Sequence, residues 1–177
     1  MAVLDRTPQN TNYIQPTKYL LTFDRIPTTQ YFCQSVNIPG ISLGDIKVST
    51  PVFDYAVTGN KLTYNTFNMN FTIDEPALSW KNLYNWFLAI ASPVSIDQRN
   101  TLTAQQNYYK SQGNFQNYSE ATLTILSNLN NPIILIQFHN MFPLSLSDLQ
   151  FDTTLSADTI MTGSATFMYE YYEFLPV

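Results

Sequence analysis

Histidine, cysteine, glycine and charge are all scarce in this chain, and each scarcity closes off a class of chemistry. Cys33 is the single cysteine, so neither a disulfide framework nor a cysteine-based zinc site can be assembled. His139 is the single histidine, which excludes a multi-histidine metal centre. Five glycines in 177 residues leave no phosphate-cradling loop, and no G-x-G-x-x-G, P-loop, G-x-S-x-G or H-E-x-x-H pattern occurs. Apolar runs such as Ile133 to Ile136 are far short of the ~20 residues that cross a bilayer, so no membrane span is expected. The polar N-terminus has no signal-peptide pattern, which fits synthesis in a reducing compartment. Basic side chains number 8 against 13 acidic ones, for a net charge of −5. A protein that grips nucleic acid through its phosphates needs a basic face, and this composition does not offer one.

What is present is apolar and uncharged. Hydrophobic residues make up 45% and aromatics 15%, enough for the core of one domain. Charged residues make up 12%, about half the usual share, and Asn, Thr, Ser and Gln take their place. Such a surface dissolves, yet it is cheap to desolvate against a partner. Residues 1–16 read as a polar N-terminal arm and 17–177 as a single domain.

Strands dominate the pattern. Lys18–Phe23 and Tyr31–Val36 read as an antiparallel hairpin, stopped by Ile38-Pro39-Gly40. Residues 41–60 are less regular, with a short strand from Asp45 to Thr50. Phe67, Met69, Phe71 and Ile73 then alternate with Asn68, Asn70 and Thr72, the period of a half-buried strand. Asp74-Glu75-Pro76 opens a helix by capping and by favourable charge at its N-terminal dipole. Trp80, Leu83, Tyr84, Phe87 and Ile90 recur along it as a core-facing stripe, and Ser92-Pro93 ends it. A polar loop spans 94–119. Further strands follow at Glu120–Ser127, Ile133–His139 (expected to be buried on both faces), Phe151–Leu155 and Thr162–Phe174.

No catalytic set survives inspection. Asp74 and Glu75 are explained by the helix start. Glu170 and Glu173 fall on opposite strand faces, so they cannot share a proton. His139 ends an apolar run as a satisfied structural histidine, and Cys33 sits among apolar neighbours as an inert thiol. The chain therefore reads as no enzyme, with no cofactor and no metal.

One succession of features is more specific. Lys18-Tyr19-Leu20-Leu21-Thr22-Phe23 precedes Phe32-Cys33-Gln34-Ser35-Val36-Asn37-Ile38-Pro39-Gly40. Thr58-Gly59-Asn60-Lys61-Leu62-Thr63-Tyr64 follows, and Phe71-Thr72-Ile73-Asp74-Glu75 runs into a helix with Leu83-Tyr84-Asn85-Trp86. Then come the Ile133–Gln137 strand, Phe142-Pro143-Leu144 and a Thr- and Tyr-rich last strand. From about residue 17 to 173 this order resembles the tail tube proteins of contractile-tailed bacteriophages. The resemblance implies an antiparallel β-sandwich or partial barrel with one flanking α-helix, completed as a multi-subunit β-barrel in a ring. It implies hexameric rings stacked into a hollow tube in the virion, assembled in the host cytoplasm, through which double-stranded DNA passes unbound. The implied partners are further copies of the chain, the tail sheath protein, and baseplate and tail terminator proteins. A main tube protein and a tube-like baseplate initiator both fit.

The residues agree with a conduit. Strands Phe67–Ile73 and Ala165–Tyr172 lack the Lys and Pro that guard open edges, as though neighbouring subunits pair them. An acidic wall repels phosphates over roughly one Debye length, ~8 Å. Asn65, Asn68, Asn70, Thr72, Thr166 and Glu170 are the expected lumen-facing residues, and the 41–60 segment and the arm are the expected ring-to-ring contacts. The competing class is a carbohydrate-binding β-sandwich using tyrosines and tryptophans as stacking platforms.

Overall fold

Period-two alternation along Tyr19–Phe23, Phe67–Thr72, Ser119–Leu126, Pro132–Leu146 and Thr162–Met168 gives the chain one apolar face to hide, and the sheet hides it by folding over on itself. The computed structural model describes residues 12–26, 29–95, 117–154, 156 and 158–176. In chain order the elements are β1 (Tyr19–Phe23), α1 (Thr29–Phe32), β2 (Cys33–Val36), β3 (Ile41–Ser49), β4 (Asp54–Tyr64), β5 (Phe67–Thr72), α2 (Leu78–Ala91), β6 (Ser119–Leu126), β7 (Pro132–Leu146), β8 (Thr162–Met168) and β9 (Tyr171–Leu175). Seven strands form one antiparallel sheet in the order β1-β6-β7-β8-β5-β2, with β9 also on β7, while β3 and β4 form a separate two-stranded sheet.

The fold turns on β7. Its first half pairs with β6 and β9, and its last residues, Phe142–Leu146, pair with β8. At the bend Asn140 adopts φ 52, a left-handed conformation that asparagine tolerates. The facing strand breaks at the same level, between Met168 and Tyr171, where the Glu170 amide donates to the His139 carbonyl (3.0 Å). The bend brings distant strands into contact. Phe23 of β1 meets Phe167 of β8 at 5.2 Å, and Phe67 of β5 meets Phe138 of β7 at 5.1 Å. Among the described residues β1 and β2 do not pair, so the sheet stays an open sandwich and does not close into a barrel.

Helix α2 inserts Leu83 and Trp86 into this core. Asp74 supports its start: its carbonyl accepts from the Ala77 amide (2.8 Å) and its carboxylate from the Ser79 amide (3.4 Å). The helix itself begins at Leu78, two residues past Pro76.

Several expectations are corrected. Lys18–Phe23 and Tyr31–Val36 do not form a hairpin: β1 pairs with β6 and β2 with β5, which sets Leu21 opposite Leu123 and Phe23 opposite Ala121 in the core. Tyr31 and Phe32 belong to α1 rather than to a strand. Ile133–His139 is buried on one face only, through Ile136 and Phe138, because its other face looks outward. Residues 151–154 form no strand, and Phe151 is exposed. The helix stripe is also rotated. Leu83 is buried as expected, but its companions are Ser79, Trp86 and Ala89. Trp80 and Phe87 are half-buried, and Tyr84 and Ile90 are exposed. Strands β5 and β8 are central, so the open borders lie elsewhere, on β1, β9, β2 and the end of β7. Of the arm, residues 12–16 are described and exposed; of the 94–119 loop, 96–116 lie outside the described residues.

Candidate assembly surfaces

Two surfaces stand out, and both grow from the β2–β5 pair. The first is a ribbon that leaves the sheet. Val36 lies opposite Met69, and the pairing continues past the ends of the strands. The Asn37 amide donates to the Asn68 carbonyl (3.3 Å), and Asn37 Nδ2 donates to the Thr66 carbonyl (3.2 Å). The Asn65 amide then donates to the Gly40 carbonyl (3.0 Å), and Ile41 pairs with Tyr64 to begin β3–β4. The supposedly irregular 41–60 segment is thus a long hairpin, the outward extension of the border strand β2.

Sterics shape the hairpin at one place. The β3–β4 register slips between Leu43 and Asp45, and there the two backbones approach closely. A Cβ on Gly59 would stand 2.6 Å from the Gly44 carbonyl oxygen, so only glycine fits. At the tip the Thr50 amide donates to the Phe53 carbonyl (3.1 Å), and Ser49 Oγ donates to the Asp54 carboxylate (2.5 Å). Along the strands Ile41, Leu43, Ile46, Tyr55, Val57 and Leu62 are all exposed, Ile46 with 57% of its surface and Val52 at the tip with 89%. The apolar residues on the inward face of the main sheet are nearly fully buried, among them Phe67, Phe71, Ile136, Phe138 and Phe167. A contiguous exposed apolar ribbon with open backbone edges is the signature of a protein–protein contact.

The second surface is the outward face of the sheet. Asn68, Asn70 and Thr72 on β5 stand opposite Thr166, Ser164 and Thr162 on β8. Thr166 Oγ1 donates to Asn68 Oδ1 (3.0 Å), and Asn70 Nδ2 donates to Ser35 Oγ (2.9 Å). Four of the expected lumen residues, Asn68, Asn70, Thr72 and Thr166, therefore share one uncharged, hydrogen-bonded face. Asn65 and Glu170 stand apart from it. Asn65 lies between β4 and β5 with its carbonyl accepting from Tyr169 Oη (2.9 Å), and Glu170 sits at the sheet corner accepting from Asn140 Nδ2 (2.5 Å). Ser164 and Thr162 belong to the face and follow from the same alternation; Ser35 was invisible while the β2–β5 pairing was unknown. An open groove of about 760 Å³ beside this face brings Asp148 and Asp152 to its rim, but no histidine or cysteine.

Three further titratable groups have structural surroundings. His139 is clasped between Glu120 of β6 (3.0 Å) and Glu173 of β9 (3.1 Å), and it stacks on Tyr171 at 4.6 Å. It thereby joins three strands. Cys33 is half-buried, and that burial raises its thiol pKa. Burial, and then the neighbouring Cys33, push the Tyr19 phenol up to about 12. Among the described residues no group of three His, Cys, Asp or Glu is placed to hold a metal ion, and no helix is long and apolar enough to cross a membrane. Trp86 is buried, and Trp80 stacks on Tyr84 (5.5 Å) while its indole N–H donates to the Ser147 carbonyl (3.2 Å). Neither tryptophan forms an open platform for a sugar.

Residues 10–175 match the sequence model of the phage tail tube protein family. The chain is similar to the tail tube terminator protein of Enterobacteria phage T4, with 27% identity over 169 residues, 92% of this chain and 89% of that protein. In fold it is similar to the tube-terminating cap of the anti-feeding prophage (TM-score 0.62, 13% identity, all of both chains). It is also similar to the sheath/tube terminator structure of an extracellular contractile injection system (TM-score 0.61, 16% identity, 94% of this chain and 99% of the other).

Proposed function

The chain belongs to the phage tail tube protein family, and from that premise we propose that it terminates the tail tube as a ring of about six copies around a bore for double-stranded DNA. It is a structural component of a contractile tail and not an enzyme. The expectation of a main tube protein gives way to a terminator, because the T4 relative, matched over nearly its whole length, carries that name. The likeness to a baseplate structure, at 13% identity, reflects the fold alone and favours no initiator role.

The observation that carries the ring is the exposed apolar hairpin at the border of the sheet, read here as a contact within the ring in place of the ring-to-ring contact expected of residues 41–60. The second half of β7, then β8, β5 and β2 contribute four strands whose outward face is uncharged. Joining the β2 border of one copy to the β7 border of the next is a head-to-tail contact, which closes when the rotation per copy permits. About six copies supply roughly 24 strands, and at ~4.8 Å per strand the wall is about 115 Å around and at least about 37 Å across. That leaves a bore for a duplex once side chains line it. Six copies at −5 give a ring about −30 in charge, which does not hold phosphates. Contacts with the sheath and with neighbouring tube subunits belong to the same reading, as does an N-terminal arm that orders on assembly.

The test is a polymerisation assay with the cognate main tube protein, read by negative-stain microscopy. The chain alone is expected to give annuli without long tubes, and added substoichiometrically it is expected to shorten tubes. Long tubes from the chain alone would make it the main tube protein; monomers without effect on tube length would remove the reading. The bore has its own test. Asn70→Lys adds about +6 per six-copy ring, so variant rings are expected to retain a short duplex at low salt. Each phosphate contact contributes about −0.9 to the slope of log affinity against log salt. Wild-type rings are expected to retain none; equal retention by both would place Asn70 outside the bore.

A further inference from the structure

The hairpin is useful to a ring only if it points in one direction, and three tyrosines meet at its root. Tyr169 Oη donates to the carbonyl of Asn65 (2.9 Å), the residue that follows β4. Tyr172 Oη donates to the carbonyl of Pro39 (3.3 Å), two residues before β3. The two donors therefore grip the outgoing and the returning chain of the ribbon where it leaves the sheet. Tyr64, the last residue of β4, packs edge-on against both rings, at 5.7 Å from Tyr169 and 5.6 Å from Tyr172. Phe138 backs the same two rings from the core, at 5.2 and 5.6 Å. Tyr169 and Tyr172 come from the corner between β8 and β9, where the sheet bends, so the ribbon is anchored to a corner packed against the core through Phe138.

We propose that Tyr169 and Tyr172 are positioning residues that lock the β3–β4 hairpin at a fixed angle to the sandwich, and that their hydroxyls serve assembly more than folding. The consequence for rings rests on the hairpin being the inter-subunit contact. Leverage makes the hydroxyls matter. A nine-residue strand is roughly 30 Å long, so a tilt of about 15° at the root moves the tip by about 8 Å. That displacement exceeds the tolerance of a packed interface. Burial pushes the Tyr169 phenol up to about 12, with Tyr172 and Tyr64 adding to the shift, so the hydroxyl stays a donor at neutral pH. Pairing within β3–β4 holds the ribbon together and the Asn37–Asn68 hydrogen bonds continue it from β2–β5, while the two tyrosine hydroxyls tie its root to the β8–β9 corner.

The experiment measures that angle. Spin labels on Val52→Cys at the tip and Asn128→Cys in the β6–β7 turn, in a Cys33→Ser background, report the tip-to-body distance by pulsed electron resonance. The parent is expected to show one narrow distribution. Y169F/Y172F is expected to broaden it at least twofold while the chain remains folded by circular dichroism, and to lower ring yield at least tenfold. If the double variant does not fold, Y172F alone carries the test, since its ring stays half-buried and loses only the hydroxyl. Y171F, one position away and outside the joint, is expected to leave the distribution narrow. An unchanged distribution in the Tyr→Phe variants would overturn the joint whatever the rings do. A broadened distribution with full ring yield would support the joint and count instead against the hairpin as the subunit contact.

Discussion

Replacing Ile46 with Asp and its cross-strand partner Val57 with Thr is expected to abolish ring formation while leaving the monomer folded. Both positions are exposed in the isolated chain, and surface substitutions of this kind usually change stability by less than about 0.5 kcal/mol. In the ring the same site would be buried against a neighbour. A carboxylate desolvated there without a partner costs about 2–5 kcal/mol per contact, or roughly 30- to 5,000-fold in affinity. The penalty recurs at each of about six contacts, so closure fails long before a single contact is saturated. Sedimentation velocity at matched concentration is the measurement, with thermal unfolding of the monomer alongside. Rings that survive the double substitution at wild-type concentration would show that the hairpin is not the subunit contact.

Trp86→Ala is expected to give the largest loss of monomer stability. The side chain is fully buried, lies 6.1 Å from the Phe167 ring and has the Arg25 guanidinium 5.2 Å above it. Its indole N–H donates to the Asn117 carbonyl at 3.0 Å. Truncating a buried tryptophan to alanine costs about 3–5 kcal/mol in lost transfer energy and cavity, and the cation–π contact adds about 0.5–2 kcal/mol. A domain holds about 5–15 kcal/mol in all. At about 2–4 °C per kcal/mol for a chain of this size, the unfolding midpoint should fall by at least 6 °C and as much as 20 °C or more. Tyr84→Ala on the exposed face of the same helix should cost less than about 1 kcal/mol. Equal losses for the two would mean that the helix packs through the face the sequence periodicity suggests.

That comparison marks where the sequence stops being legible. On α2 the spacing of Trp80, Leu83, Tyr84, Phe87 and Ile90 describes one apolar stripe, yet aromatics are dense on two faces. The pattern alone could not choose between Trp80 and Trp86 as the core anchor. The choice was made by where β8 presents Phe167 and where Arg25 lies. The strand 67–73 was legible because its alternation is strict, and its outward Asn68, Asn70 and Thr72 follow from the pleat. Their neighbours were not, since Ser35 joins that face only through a pairing between segments about 35 residues apart in sequence. The 41–60 segment escaped for a related reason. Its apolar residues have no core to face, so the contrast between buried and exposed positions that reveals a strand is missing.

Composition and local period by themselves determined that this is a β-rich chain with one long amphipathic helix and an uncharged strand face. Those properties depend on residue type and on neighbours within a few positions. Tertiary structure alone decided which strands pair, that the sheet bends at Asn140 and Glu170, and that a hairpin leaves its border gripped by Tyr169 and Tyr172. Such features arise from contacts between residues far apart in the chain, whose free energy depends on how every other strand is already placed.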